Sequence, residues 1–419
     1  MARSWTNEQS QAIWGRGGSM LISAAAGSGK TAVLVQRAIQ RITDPVHPVD
    51  ADRLLIATFS NAAAGEMKDR IAAALNDLLA ADPGNSLLQR QRLLLQKAHI
   101  STIHSFCLEL VRQHFDVLGL DARFSIGDET QLSHLRSSAM EELLETCYSR
   151  GESSFFGLCE FFCGKTDRPL SQLILTVYDF LRSNPFPEQW MERSEAAFSA
   201  GEVAGTPWGS LLFDYASDTL AYAGQLLRQG LYMMEDDPAM KTAYEPAFSE
   251  DLRQLELLQE HCAARDWDGL YHGVRSFYFV RMGQLRKYED AEKKERVSGL
   301  RKEVKKLLSD LAARQVSSSQ ADYQEDMRAL FPIVRALFAA VREYGEILER
   351  LKREARIVDF SDLEHYTLRL LCTVEPDGRT VKTDFARELS DSFEEIMLDE
   401  YQDTNEIQDT IFTLLSREG

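Results

Sequence analysis

Two short stretches, "AAAGSGKT" at residues 24–31 and "LDEYQDTN" at residues 398–405, carry side chains whose types and spacing suit phosphate chemistry. Ala24, Ala25, Ala26, Gly27, Ser28 and Gly29 form a small-residue loop that leaves backbone N–H groups free to wrap an anion. Lys30 and Thr31 open the helix behind it, where an ammonium can neutralise the β- and γ-phosphates of a nucleotide and a hydroxyl can ligate Mg²⁺. Asp399 and Glu400 follow a short apolar run at residues 396–398. At the tip of a buried strand, such a pair holds a metal ion with one carboxylate and directs a water with the other. ATP and Mg²⁺ are the cofactors this combination predicts, with Thr31 and Asp399 as metal ligands.

These residues stand at opposite ends of a 419-residue chain, so the fold has to bring them together. Met20, Leu21 and Ile22 predict a strand over residues 20–23, leading into the loop and then an amphipathic helix. A second strand is predicted from Leu54, followed after Asn61 by Ala64, Met67, Ile71, Leu75 and Leu78 at helical spacing. Between them the turn holds Thr58, Phe59, Ser60 and Asn61. "AHISTIHSFCLELVRQH" repeats the design with Thr102, His104 and Ser105. Hydroxyls, an amide and an aromatic ring at the carboxyl end of parallel strands suit backbone contacts and base stacking on single-stranded DNA. Taken alone, His104 reads as a structural histidine; within this series of turns it reads as a DNA contact. Gln9, upstream of the phosphate loop, carries an amide able both to donate to and accept from an adenine edge.

Residues 119–355 read as helical, with breaks at "SNPFPEQW" and "GEVAGTPWGS". The most basic run places Lys293, Lys294, Arg296, Arg301, Lys302, Lys305 and Lys306 on one long helix. That helix is either a solvated face laced with ion pairs or an arm gripping duplex phosphates. Past it, "DFSDLEH" reads as helix-capping chemistry at Asp359 and Asp362. A formal net charge of −18 and a pI near 5.0 do not by themselves mark a nucleic-acid binder, so any DNA groove must be locally basic. No leader peptide is legible, no apolar run reaches the ~18 residues that span a bilayer, and the six cysteines lack a dense spacing. A cytoplasmic protein is the expectation.

In order along the chain, "AAAGSGKT", "TFSNAAAGEMKDRI", "ISTIHSFC", "DFSDL" and "LDEYQDTN" resemble the motifs of superfamily 1 DNA helicases of the UvrD/Rep/PcrA type. The wording "ISAAAGSGKTAVLVQR" is similar to AddA-type helicase–nuclease subunits of bacterial double-strand-break repair complexes. The resemblance implies an α/β fold, with a RecA-like P-loop NTPase domain built from residues 1–118 and 356–419. A large all-helical insertion at 119–355 would interrupt it. Gln9 matches an adenine-recognising glutamine, and residues 24–31 match the nucleotide loop. Thr58, Phe59, Asn61, Thr102 and His104 match single-strand contacts. Lys30, Asp399 and Glu400 match the catalytic set, and Gln402 a position that links the γ-phosphate to the DNA site. Two positions depart from the pattern: Ala24 replaces a glycine, and Ala32 stands where relatives carry an adenine-stacking arginine. In such motors a second RecA-like domain supplies the arginines, and no "GDxxQSIY"-like segment is present. The expectation is the N-terminal part of a larger protein that pairs with an AddB-type protein.

Overall fold

The computed structural model describes residues 5–25, 27–199, 201–286, 288–375 and 378–417. These group into two compact units, one of Met1–Glu152, Phe162–Trp190 and Ala340–Gly419, the other of Ser153–Phe161 and Met191–Ala339.

At the centre of the first unit runs β1, Leu54–Thr58, buried at all of its residues. "LLIAT" lacks polar alternation, as expected of a parallel strand covered on both faces. β2, His99–Thr102, lies parallel on one side, and Ile56 faces Ile100 across the ladder. On the far side the chain re-enters as β7, Glu395–Leu398, also parallel, with Met397 opposite Ile56. The order β2-β1-β7 therefore joins the two ends of the sequence in one sheet. Side chains alternate along β1. Leu54 and Ile56 pack with Val35, Ala38 and Ile42 of α2 (Lys30–Ile42) and with Met67, Ile71 and Leu75 of α3 (Asn61–Ala81). Leu55 and Ala57 pack on the other face, against Phe106, Leu363 and Ile411.

Residues 20–23 do not form the expected strand. Met20, Leu21 and Ile22 are 47%, 79% and 44% exposed. Among the described residues β7 pairs with β1 alone. The physical reason is local: Gly15, Gly17 and Gly18 precede the segment and the alanine–glycine loop follows it, leaving few residues to offset the chain entropy of a fourth strand.

Two further ladders close this unit. β3 (Ser125–Ile126) pairs in parallel with β4 (Ile357–Val358), where the chain leaves and returns. β5 (Cys372–Val374) and β6 (Thr380–Lys382) form an antiparallel hairpin. Directly after β4, Asp359 caps the Phe360–Leu371 helix, and Asp362 completes the box by returning a carboxylate to the Asp359 N–H. Lys352 reaches both carboxylates, and Arg182 donates to Asp362 at 3.0 Å. Among the helices of the middle segment, Glu129–Arg150 and Arg168–Arg182 belong to this unit.

The second unit has no strand among its described residues. Its long helices Pro207–Met234, Pro238–Ala263 and Ala291–Asp310 share a core that includes Leu220, Leu227, Phe248, Leu258, Trp267 and Leu308. The basic run lies on Ala291–Asp310 but is not uniformly solvated. Arg301 is 6% exposed and donates at 2.6 and 3.0 Å to the fully buried Asp251 carboxylate. Lys305 sits 4.8 Å over the Phe279 ring, while Lys302 and Lys306 are exposed. Among the described residues no helix is long and apolar enough to cross a membrane.

Candidate nucleotide and nucleic-acid site

The phosphate loop is shaped by two glycines. Gly27 and Gly29 have φ of +77° and +88°, a left-handed backbone that a Cβ would strain. Ser28 N–H closes the turn on Ala25 O at 3.2 Å. Gly29 brings no capping side chain to α2, so the N–H groups of its first turn stay open for an anion. Ala24 and Ala25 are exposed, and Ala26 lies outside the described residues. Lys30 donates from Nζ to Ala24 O at 3.0 Å, folding its ammonium over the loop.

Asp399 follows β7 directly and stays in register, its N–H donating to Ala57 O at 3.0 Å. From there its carboxylate accepts the Thr31 hydroxyl at 3.3 Å. Burial raises the Asp399 carboxyl above its usual range and the neighbouring Glu400 adds to the effect, while the Thr31 hydroxyl and Lys30 pull the other way. A cation would relieve that cost. Two oxygen donors 3.3 Å apart are close to the ~3.0 Å between adjacent ligands of an octahedral Mg²⁺ with ~2.1 Å bonds, so the pair fits the ion.

Glu400 is exposed and left-handed at φ +54°, a conformation rare outside glycine. The Gln402 amide donates to that carboxylate. The Gln9 amide is engaged twice: Nε2 donates to Ser28 O at 3.1 Å and Oε1 accepts Thr6 N–H at 3.0 Å in the capping box of α1 (Asn7–Trp14). It is thus tied to the phosphate loop itself.

The five strand-contact candidates divide by exposure. Thr58 is buried and donates its hydroxyl to Ser60 O at 3.0 Å, which shapes the turn. Thr102 is likewise buried and caps α5 (Ile103–Gln113) by accepting from Ser105 N–H at 3.1 Å. Phe59, at 43% exposure, and Asn61 stand open to solvent. The half-exposed His104 packs at a tilt against the Phe360 ring, 4.8 Å between centroids, and Phe360 in turn lines a cleft of about 850 Å³ with Arg136, Ser137, Met140 and Leu175.

Sequence reasoning passed over two features of the site. Arg37 and Arg41, one turn apart on α2, both pair with Glu395 at the start of β7, and Arg37 also donates to Ala12 O at 2.6 Å. They clamp α1, α2 and β7 around the loop. The other is Glu364, a buried carboxylate of the Phe360–Leu371 helix that meets His104, Asn405 and Gln408. A lone glutamate on a helix gives no local signal of partners so far along the chain.

A parallel sheet carries a glycine-shaped loop at a helix N-terminus, with a hydroxyl and a carboxylate converging beside it. The chain belongs to the UvrD/REP helicase N-terminal domain family, whose model matches residues 5–419. It is similar to an ATP-dependent helicase/nuclease subunit of Acetivibrio thermocellus, at 37% identity over 99% of this chain and 34% of the relative. It is also similar to the proteins of the same designation from Pelotomaculum thermopropionicum (39%, covering 100% and 33%) and Geobacillus thermodenitrificans (39%, covering 99% and 34%). The chain therefore spans about a third of the length of the curated relatives it matches.

Proposed function

We propose that this chain forms the N-terminal motor portion of an ATP-dependent DNA helicase–nuclease of the AddA type, acting in cytoplasmic double-strand-break repair beside an AddB-type partner. Residues 1–118 and 356–419 then make a RecA-like ATPase domain, and 119–355 a helical insertion. The observation that carries the reading is the convergence of Thr31 and Asp399, from opposite ends of the sequence, beside the Lys30 loop. The names and lengths of the relatives support the helicase–nuclease assignment.

In this reading Thr31 and Asp399 would hold Mg²⁺, which would supply charge neutralisation to the phosphates of a bound nucleotide. Lys30 exchanges its contact with Ala24 O for phosphate oxygens, while the N–H groups of the loop surround them. Glu400, open to solvent one residue beyond the metal ligand, takes a proton from the attacking water. Gln402, bonded to Glu400, reports that step to the DNA side. Gln9 fixes the loop through Ser28 and reads the adenine. On the DNA side Phe59, Asn61 and His104 face a single strand, with Thr58 and Thr102 holding their turns.

The test is ATP turnover by the full-length protein with its partner, with and without single-stranded DNA, alongside exonuclease assays on a duplex end. DNA-stimulated hydrolysis lost in Lys30→Ala supports the reading. Stimulation without any nuclease activity assigns a repair helicase instead, and no turnover under any condition overturns the motor assignment.

A further inference from the structure

The Glu364 side chain is only 5% exposed, yet its carboxylate receives neither a backbone N–H nor an arginine among the described residues. It is held instead by side chains from two separate turns. His104 Nε2 lies 3.2 Å from Oε1, and Gln408 Nε2 donates to the same oxygen at 2.6 Å. Asn405 Nδ2 donates to Oε2 at 3.4 Å. One turn follows β2 and carries the half-exposed His104; the other begins at Glu400 and ends in the helix Glu406–Leu415, which Asn405 caps.

Burial alone would favour the protonated acid, but the His104, Gln408 and Asn405 contacts outweigh it and hold the Glu364 carboxyl below its usual range. A buried anion kept by donors from two elements ties the position of one to the position of the other, because neither can withdraw without leaving the charge underbonded. The second turn also has slack. Thr404 Oγ1 and Gln408 Oε1 are buried without a hydrogen-bond partner among the described residues, so this segment has acceptors left over for a second arrangement.

We propose that Glu364 is a positioning residue that couples the strand-contacting turn at His104 to the Glu400–Asn405 turn beside the metal ligand. The inference rests on the motor reading and specifies the path by which DNA contact reaches the hydrolytic carboxylates. Contact with a strand at the open side of His104 shifts the imidazole against Glu364. The carboxylate passes that shift to Asn405 and Gln408, and so to the turn that presents Glu400.

The experiment uses the full-length protein with its partner and oligo(dT) as the probe strand. Turnover with and without the strand, strand affinity and thermal midpoint are measured for wild type, Glu364→Gln, Glu364→Asp, His104→Ala and the His104→Ala/Glu364→Gln double variant. Glu364→Gln keeps the shape while removing the charge, and the stimulated-to-unstimulated ratio is expected to fall about tenfold, with strand affinity changed by less than about threefold. Glu364→Asp is expected to restore part of the ratio. The double variant is expected to be no worse than the poorer single variant, since both cut the same link. Effects that multiply in the double variant, or a lowered thermal midpoint with the ratio intact, overturn the proposal. A wild type with no DNA stimulation at all overturns the motor reading on which it stands.

Discussion

The Thr31 hydroxyl and the Asp399 carboxylate meet at 3.3 Å although 368 positions separate them. The register of β7 against β1 fixes that distance. Ala57 lies opposite Leu398, so Asp399 is delivered to the end of the ladder level with the first turn of α2. Everything proposed for the site depends on this meeting.

Glu400→Gln keeps side-chain shape and hydrogen-bonding reach while removing the ability to accept a proton. ATP binding is expected to survive in the full-length protein, while hydrolysis falls by about 10²–10⁴, the usual share of a general base. Single-turnover hydrolysis and nucleotide affinity separate the two effects. If Glu400→Gln loses affinity as severely as Lys30→Ala, Glu400 is a binding residue.

Asp399 carries a raised carboxyl pKa because it is buried beside Glu400. A group whose folded pKa is raised contributes stability that is present at low pH and is lost as pH rises through the folded value. Asp399→Asn removes the buried charge. It is expected to raise the Mg²⁺-free thermal midpoint at pH 7 by about 1–3 °C, a gap that closes as pH falls to about 4. Calorimetry at the two pH values checks the sign, and a lowered midpoint at pH 7 contradicts it.

The ring of Phe59 is exposed to solvent, and the proposed function has it stack on a base. Phe59→Ala is expected to weaken single-strand affinity by about 1–3 kcal/mol, and Phe59→Tyr to retain it. Fluorescence anisotropy with labelled oligo(dT) measures both, and an unchanged affinity in Phe59→Ala removes the ring from the DNA path.

In the helical unit, Arg301→Met leaves the fully buried Asp251 without its partner, a change expected to cost about 3–5 kcal/mol. Adding Asp251→Leu is expected to recover most of that loss, because the unpaired charge is then gone. Urea unfolding of wild type and the two variants tests this, and equal stability of Arg301→Met and wild type rules out the buried pair as a structural element.

Structure that is local in sequence was legible. The "GSGKT" run read as a tight loop before a helix because two glycines within three residues stand directly before Lys30, and both adopt the left-handed backbone. β1 was legible because an unbroken apolar run bounded by a polar turn suits a strand covered on both faces. The mixed α/β architecture followed from those patterns. Contacts between distant positions were not legible. Arg301 read as one charge of a solvated or duplex-gripping basic helix because Asp251 lies 50 positions away, and Glu364 was passed over because Gln408 lies 44 positions further on. Residues 20–23 have strand-like composition, but the flanking glycines prevailed over the short apolar run.

The most direct test of the central claim is Mg²⁺-dependent nucleotide binding by this 419-residue chain, followed by titration with a fluorescent ATP analogue. One wall of contacts is expected to give a dissociation constant on the order of 0.1 mM, about −5.5 kcal/mol. Both Lys30→Ala and removal of Mg²⁺ are expected to weaken it about tenfold or more. Binding of equal strength in wild type and Lys30→Ala, or binding indifferent to Mg²⁺, would contradict the assignment of Lys30, Thr31 and Asp399 as a Mg·ATP site.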